Sequence, residues 1–117
     1  MEFVKNELKN IIVIGTGGTI AGTGEAGKTI SYQSGQIEVN DLVSGVDDLK
    51  DIANVTSKEL LSVDSCDITE EDWIHLANYI NEMAEDEDID GFVVTHGTDT
   101  LEETAFFLNL TVKTSKP

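Results

Sequence analysis

A chain of 117 residues fits one domain, and 39% hydrophobic residues with ten glycines and one proline place it among folded sequences. Twenty-three acidic against seven basic side chains give a net charge of -16, a field that repels phosphate backbones and anionic bilayers, so nucleic acid and membrane surfaces are excluded as partners. Cys66 is the only cysteine, which excludes an intrachain disulfide.

Residues 1–10 carry Glu2, Lys5, Glu7 and Lys9 where a secretory leader would hold its apolar core, which gives the expectation of a cytoplasmic protein. Ile11-Ile12-Val13-Ile14 is a β-branched run, too short to span a bilayer and suited to a strand buried on both faces of a parallel sheet. Residues 16–27 are rich in Gly and Thr and predict a loop, with a short edge strand at 29–32 and a short helix at 36–43. Residues 52–56 predict a second strand. The clearest helix covers 69–84, with Thr69 as N-cap and Glu70, Glu71 and Asp72 favouring the positive helix start. Trp73, Leu76, Ala77, Ile80, Met83 and Ala84 recur on one face at helical spacing and are expected in the core. Residues 91–95 predict a third buried strand, and 98–110 a helix with Leu101, Ala105 and Leu108 in register.

Strands alternating with helices predict an α/β fold, a parallel doubly wound, Rossmann-like sheet with flanking helices and right-handed crossovers. Ligands in such sheets sit beyond the carboxyl ends of the strands. Two polar segments fall there, 15–22 and 96–100, and are expected to face one crevice.

Three motifs match chemistry that their context opposes. Residues 22–29 fit the phosphate-loop pattern, but they neither leave a strand directly nor open a helix. Residues 86–91 open like a calcium loop, but its twelfth position falls on Gly97 instead of Glu. His75 and His96 have no partner at metal-ligand spacing, so no metal is expected.

Gly15-Thr16-Gly17-Gly18-Thr19-Ile20-Ala21-Gly22 sets hydroxyls on a backbone able to turn tightly and expose amide N–H groups to a developing oxyanion. A Thr hydroxyl needs a base to become a nucleophile, and Tyr32 lies downstream, able to reach back. An ordinary Gly/Thr turn is the competing reading. His96-Gly97-Thr98-Asp99-Thr100 offers another hydroxyl and a carboxylate, which are also good helix-capping groups. Ser65, between Asp64 and Asp67, sits in a third polar loop that could equally belong to the cap region of the 69–84 helix.

Together these segments resemble the bacterial asparaginase and glutaminase-asparaginase family. Its first signature is matched by Thr16-Gly17-Gly18-Thr19-Ile20-Ala21-Gly22 and its second by the ten residues from His96 to Ala105, with Asp64-Ser65-Cys66-Asp67 similar to the substrate-binding turn. The resemblance runs in order over 10–117 and implies that residues 1–117 are the N-terminal part of the family's α/β domain. It implies hydrolysis of L-asparagine to L-aspartate and ammonia through a threonine acyl-enzyme, with glutamine as a second substrate and no cofactor. By it, Thr19 is the nucleophile, Tyr32 its hydrogen-bonding partner and Thr98 the second catalytic hydroxyl. Asp99 holds the substrate's α-amino group and Ser65 its α-carboxylate. Cys66 stands in the substrate turn where family members carry Gln or Ser. The resemblance further implies a homo-oligomer, a tetramer at full length, whose catalytic Lys and smaller C-terminal domain lie beyond residue 117. The expectation for these 117 residues alone is therefore a catalytically silent piece, or one that only binds a small amino acid.

Overall fold

A computed structural model describes residues 6–17 and 39–117. The strands are β1 (Lys9–Gly15), β2 (Ala53–Glu59) and β3 (Gly91–Thr95), and the helices are α1 (Val39–Ser44), α2 (Glu70–Met83) and α3 (Leu101–Thr111). Short 3-10 turns cover Leu49–Asp51 and Ser65–Asp67. The strands form one parallel sheet in the order β2-β1-β3. In register, Ile12 lies between Thr56 and Phe92, and Ile14 between Lys58 and Val94.

The β-branched run forms the centre of this sheet because both its edges are hydrogen-bonded and both its faces covered. Ile12 and Ile14 point to one side and are 0% exposed, in a core with Leu76 and Ile80 of α2 and with Ile89. Phe92, Val94, Leu108 and Val112 pack around that core. Val13 and Gly15 point to the other side, as alternation along a strand requires. There Val39 of α1 approaches Gly15 so closely that a Cβ on the glycine would lie 2.7 Å from the Val39 Cβ. Helices thus cover both faces, the doubly wound arrangement.

α2 starts where the sequence places it. Thr69 accepts from the Asp72 N–H at 3.2 Å, and the Asp72 carboxylate accepts from the Thr69 N–H at 2.9 Å, a reciprocal capping box. Of its predicted core residues, Leu76, Ala77 and Ile80 are buried, while Trp73, Met83 and Ala84 are half-buried. β3 has the predicted bounds. The edge strand expected at 29–32 and the phosphate-loop match at 22–29 lie outside the described residues, as do the first residues of the 36–43 helix. The calcium-like run is a turn in which Asp86 accepts from the Asp88 N–H at 2.9 Å and Asp90 accepts from the Asn10 N–H at 2.8 Å.

α3 departs from its predicted face. Leu101 and Ala105 are exposed, and the helix instead buries Thr104 while Phe107 and Leu108 are half-buried. The reason is a polar one. Trp73 stacks on Phe107 with centroids 5.3 Å apart and donates its indole N–H to the Thr104 hydroxyl at 2.8 Å, which rotates the threonine inward.

Candidate active site

The chain leaves β1 toward α1 on one face of the sheet and leaves β3 toward α3 on the other. In sheets of this kind ligands sit beyond the carboxyl ends of such adjacent parallel strands. Hydrogen bonds lock the two ends together: the Thr16 hydroxyl donates to the Thr95 carbonyl at 2.6 Å, and Thr95 Oγ1 to the Ile14 carbonyl at 3.4 Å. On the other flank, the Gly15 carbonyl accepts from the N–H groups of Leu60 and Leu61, and Thr16 O from that of Val63. Gly17 has φ +86°, a left-handed conformation that glycine adopts without strain. Residues 15–17 of the first polar segment thus lie beside the end of β3, where the second begins, and residues 18–22 lie outside the described residues.

The third polar loop joins them. Ser65, only 4% exposed, accepts from the Asp99 N–H through its Oγ at 3.0 Å and from the Thr100 hydroxyl through its carbonyl at 2.8 Å. This corrects the capping reading of the second signature. Thr98 and Asp99 lie before Thr100, the residue that caps α3, and Thr100 makes no side-chain cap bond because its hydroxyl ties the loop to Ser65. Thr98 and Asp99 remain exposed. A hydroxyl that accepts one hydrogen bond keeps a proton to donate, so the Ser65 Oγ can still serve a ligand's carboxylate.

Cys66 is exposed beside Ser65. Its thiol is pushed above the usual value by partial desolvation first, and then by the negative charges of Asp67, Asp64 and Asp99. Because the residue is exposed, the three carboxylates are the larger physical lever. The side-chain ligand atoms of Asp64, Cys66 and Asp67 lie within 4.8 Å of one another, a grouping that the spacing of the histidines does not reveal. The local potential is thus negative. It suits a ligand's ammonium and requires neutral donors for a ligand's carboxylate. Thr19 and Tyr32 lie outside the described residues.

Sequence reasoning missed His96 as part of this architecture. The residue is 8% exposed, with Nε2 2.8 Å from the Thr104 hydroxyl and Nδ1 2.6 Å from the Gly97 carbonyl. The available signal was a Trp and a His needing polar partners near one Thr, which no periodicity reports. Among the described residues, two cavities lie elsewhere. One of about 600 Å³ runs between the end of α1 and β2, and one of about 330 Å³ between α3, β3 and residues 112–117. Neither is lined by Ser65, Thr98 or Asp99, and the converging polar groups, not cavity size, mark the site.

A parallel α/β sheet with polar loops joined beyond its strand ends has the architecture of small-ligand enzymes and binding proteins of the doubly wound class. Comparison with known proteins narrows this class: residues 10–117 match the family described as "Asparaginase, N-terminal", and the chain belongs to the asparaginase family. It is 46% identical over 111 residues to a probable periplasmic L-asparaginase of Haemophilus influenzae, a match covering 95% of this chain and 31% of that protein. It is 48% identical over 114 residues to L-asparaginase 2 of Bacillus subtilis, covering 97% of this chain and 30% of that one. The crystal structure of a probable cytoplasmic L-asparaginase from Campylobacter jejuni superposes with a TM-score of 0.87 at 43% identity, over 93% of this chain and 33% of its own. The chain spans about a third of the length of these relatives, whose names include both periplasmic and cytoplasmic proteins. No helix of the described residues is long and apolar enough to cross a membrane.

Proposed function

We propose that this chain supplies the nucleophile and most of the substrate contacts of an enzyme that hydrolyses L-asparagine to L-aspartate and ammonia, with glutamine as a second substrate. The observation that carries the reading is the Ser65–Asp99 hydrogen bond, which brings two signature segments together beside the end of β1. The relatives' names, L-asparaginase and glutaminase-asparaginase, support the same chemistry.

In this proposal the α-ammonium of asparagine meets the Asp99 carboxylate, and its α-carboxylate takes the free proton of Ser65 Oγ. Cys66 lies at the edge of that contact. The Thr19 oxygen attacks the side-chain amide carbon while Tyr32 hydrogen-bonds it, and Thr98 places the second hydroxyl. The C–N bond breaks, nitrogen leaves as ammonia with the proton it gains, and an ester remains on Thr19. Water then attacks the ester carbon, releasing aspartate and restoring the hydroxyl. The homo-oligomeric assembly and the cytoplasmic location belong to the same proposal.

The test is Thr19→Ala in the full-length protein, assayed for ammonia release with the fold checked by circular dichroism. Loss of a covalent nucleophile lowers kcat by several orders of magnitude. Near-normal turnover by a folded variant refutes the nucleophile. Tight binding of asparagine by the unmutated protein without ammonia release favours an amino-acid-binding role.

A further inference from the structure

We propose that His96, Thr104 and Trp73 form a buried positioning relay that holds the Thr98–Asp99 loop in its working orientation. The inference rests on the functional roles proposed above for Thr98 and Asp99.

Four groups from three elements are in series. Trp73 Nε1 on α2 is 2.8 Å from Thr104 Oγ1 on α3, Thr104 Oγ1 is 2.8 Å from His96 Nε2, and His96 Nδ1 is 2.6 Å from the Gly97 carbonyl. The direction of the series is fixed at both ends, since an indole N–H only donates and a carbonyl only accepts. Trp73 therefore donates to Thr104, and His96 Nδ1 carries a proton for Gly97. With Trp73 donating to it, the Thr104 hydroxyl keeps its own proton and a second lone pair, so it can pair with His96 Nε2 in either ring tautomer. With Thr104 2% and His96 8% exposed, water is a poor substitute for either partner.

The relay ends on the residue just before Thr98. A peptide unit is planar, so fixing the Gly97 carbonyl fixes the plane from which Thr98 departs. On its far side the loop is held by Ser65, through the Asp99 N–H and the Thr100 hydroxyl. The two exposed side chains proposed to act on substrate therefore sit on a short bridge anchored at both ends. His96 touches no reacting atom in this scheme and acts through Gly97.

The experiment uses the full-length protein with Thr104→Val, which keeps the side-chain shape and removes the hydroxyl, and with Thr104→Ser, which restores it. Hydrogen exchange of the peptide covering residues 96–103 and kcat/KM for asparagine are read together. Thr104→Val is expected to accelerate exchange in that peptide about tenfold or more and to lower kcat by about 10- to 100-fold, the cost of misplacing a group by about an ångström. Thr104→Ser returns both toward wild type. If Thr104→Val does not fold, Trp73→Phe takes its place, since it keeps an aromatic ring beside Phe107 while removing the N–H together with the indole's pyrrole ring. Equal exchange and equal kcat in the Val and Ser variants overturn the relay, as does wild-type exchange in a folded Thr104→Val or Trp73→Phe. If the unmutated protein releases no ammonia, the asparaginase reading fails, and the exchange of 96–103 alone decides the relay.

Discussion

Gly17→Ala is the substitution whose cost can be worked most directly from the structure. Gly17 sits two residues past β1 with φ +86°, where an L-residue pays about 1–2 kcal/mol in backbone strain. The added Cβ would also lie 2.6 Å from the Val63 nitrogen and 2.9 Å from its carbonyl oxygen. Both are backbone atoms, and neither can swing aside as a side-chain end could. Relief requires the 62–63 segment to retreat, which stretches the 3.1 Å bond from the Val63 N–H to the Thr16 carbonyl and loses a further 0.5–1.5 kcal/mol, roughly. The expected loss is about 2–3 kcal/mol. With an m-value of about 1–3 kcal/mol/M, the urea midpoint falls by about 0.7–3 M. Equilibrium unfolding followed by circular dichroism measures it. A midpoint within about 0.3 M of wild type, at unchanged m, refutes both the left-handed backbone and the close approach of Val63.

Leu76→Ala, at a fully buried position against Ile12 and Ile14, is expected to cost about 2–5 kcal/mol in the same unfolding experiment. Ser65→Ala removes the acceptor of the N–H of exposed Asp99, which destabilises by about 0.5–1.5 kcal/mol, and under the proposed function it is expected to raise KM for asparagine. Alkylation of Cys66 by iodoacetamide is expected to be slower at pH 8 than that of free cysteine, because the thiolate reacts and nearby carboxylates oppose its formation. The rate rises only at higher pH, and Asp67→Asn speeds the reaction at fixed pH. An unchanged rate in that variant shows that Asp67 exerts no such influence.

Elements governed by local rules were legible in the residues. The run at Ile11 announces a doubly covered strand because nothing polar interrupts it, and the Thr69–Asp72 capping box is written in four consecutive positions. Ser65 and the 96–100 segment, read from the sequence as polar loops, are joined in the structure through the Asp99 N–H and the Thr100 hydroxyl. What periodicity hid was α3, whose inward face is set by Thr104. That residue is polar, and it is buried because Trp73, 31 positions earlier, and His96, 8 positions earlier, give it partners. A hydrophobic count scores such a threonine as surface and so prefers Leu101 and Ala105. The Ser65–Asp99 clamp is hidden for the same reason, since its two halves are 34 residues apart and each alone reads as a capping group.

The central position of β1 also bears on how the chain is made. Its neighbours in the sheet arrive late: Asn10 meets Asn54 across 44 residues and Asp90 across 80. Pairings this distant are slow to form, since each closes a long loop before any contact rewards it. At synthesis rates of about 5–20 residues per second, roughly 4–16 s separate the emergence of β1 from that of β3. For that interval a β-branched run waits with at least one open edge, the form of chain most prone to pair with the wrong neighbour. The strand that ends at the centre of the described sheet, covered on both faces, is, on the ribosome, a segment with much to gain from a chaperone.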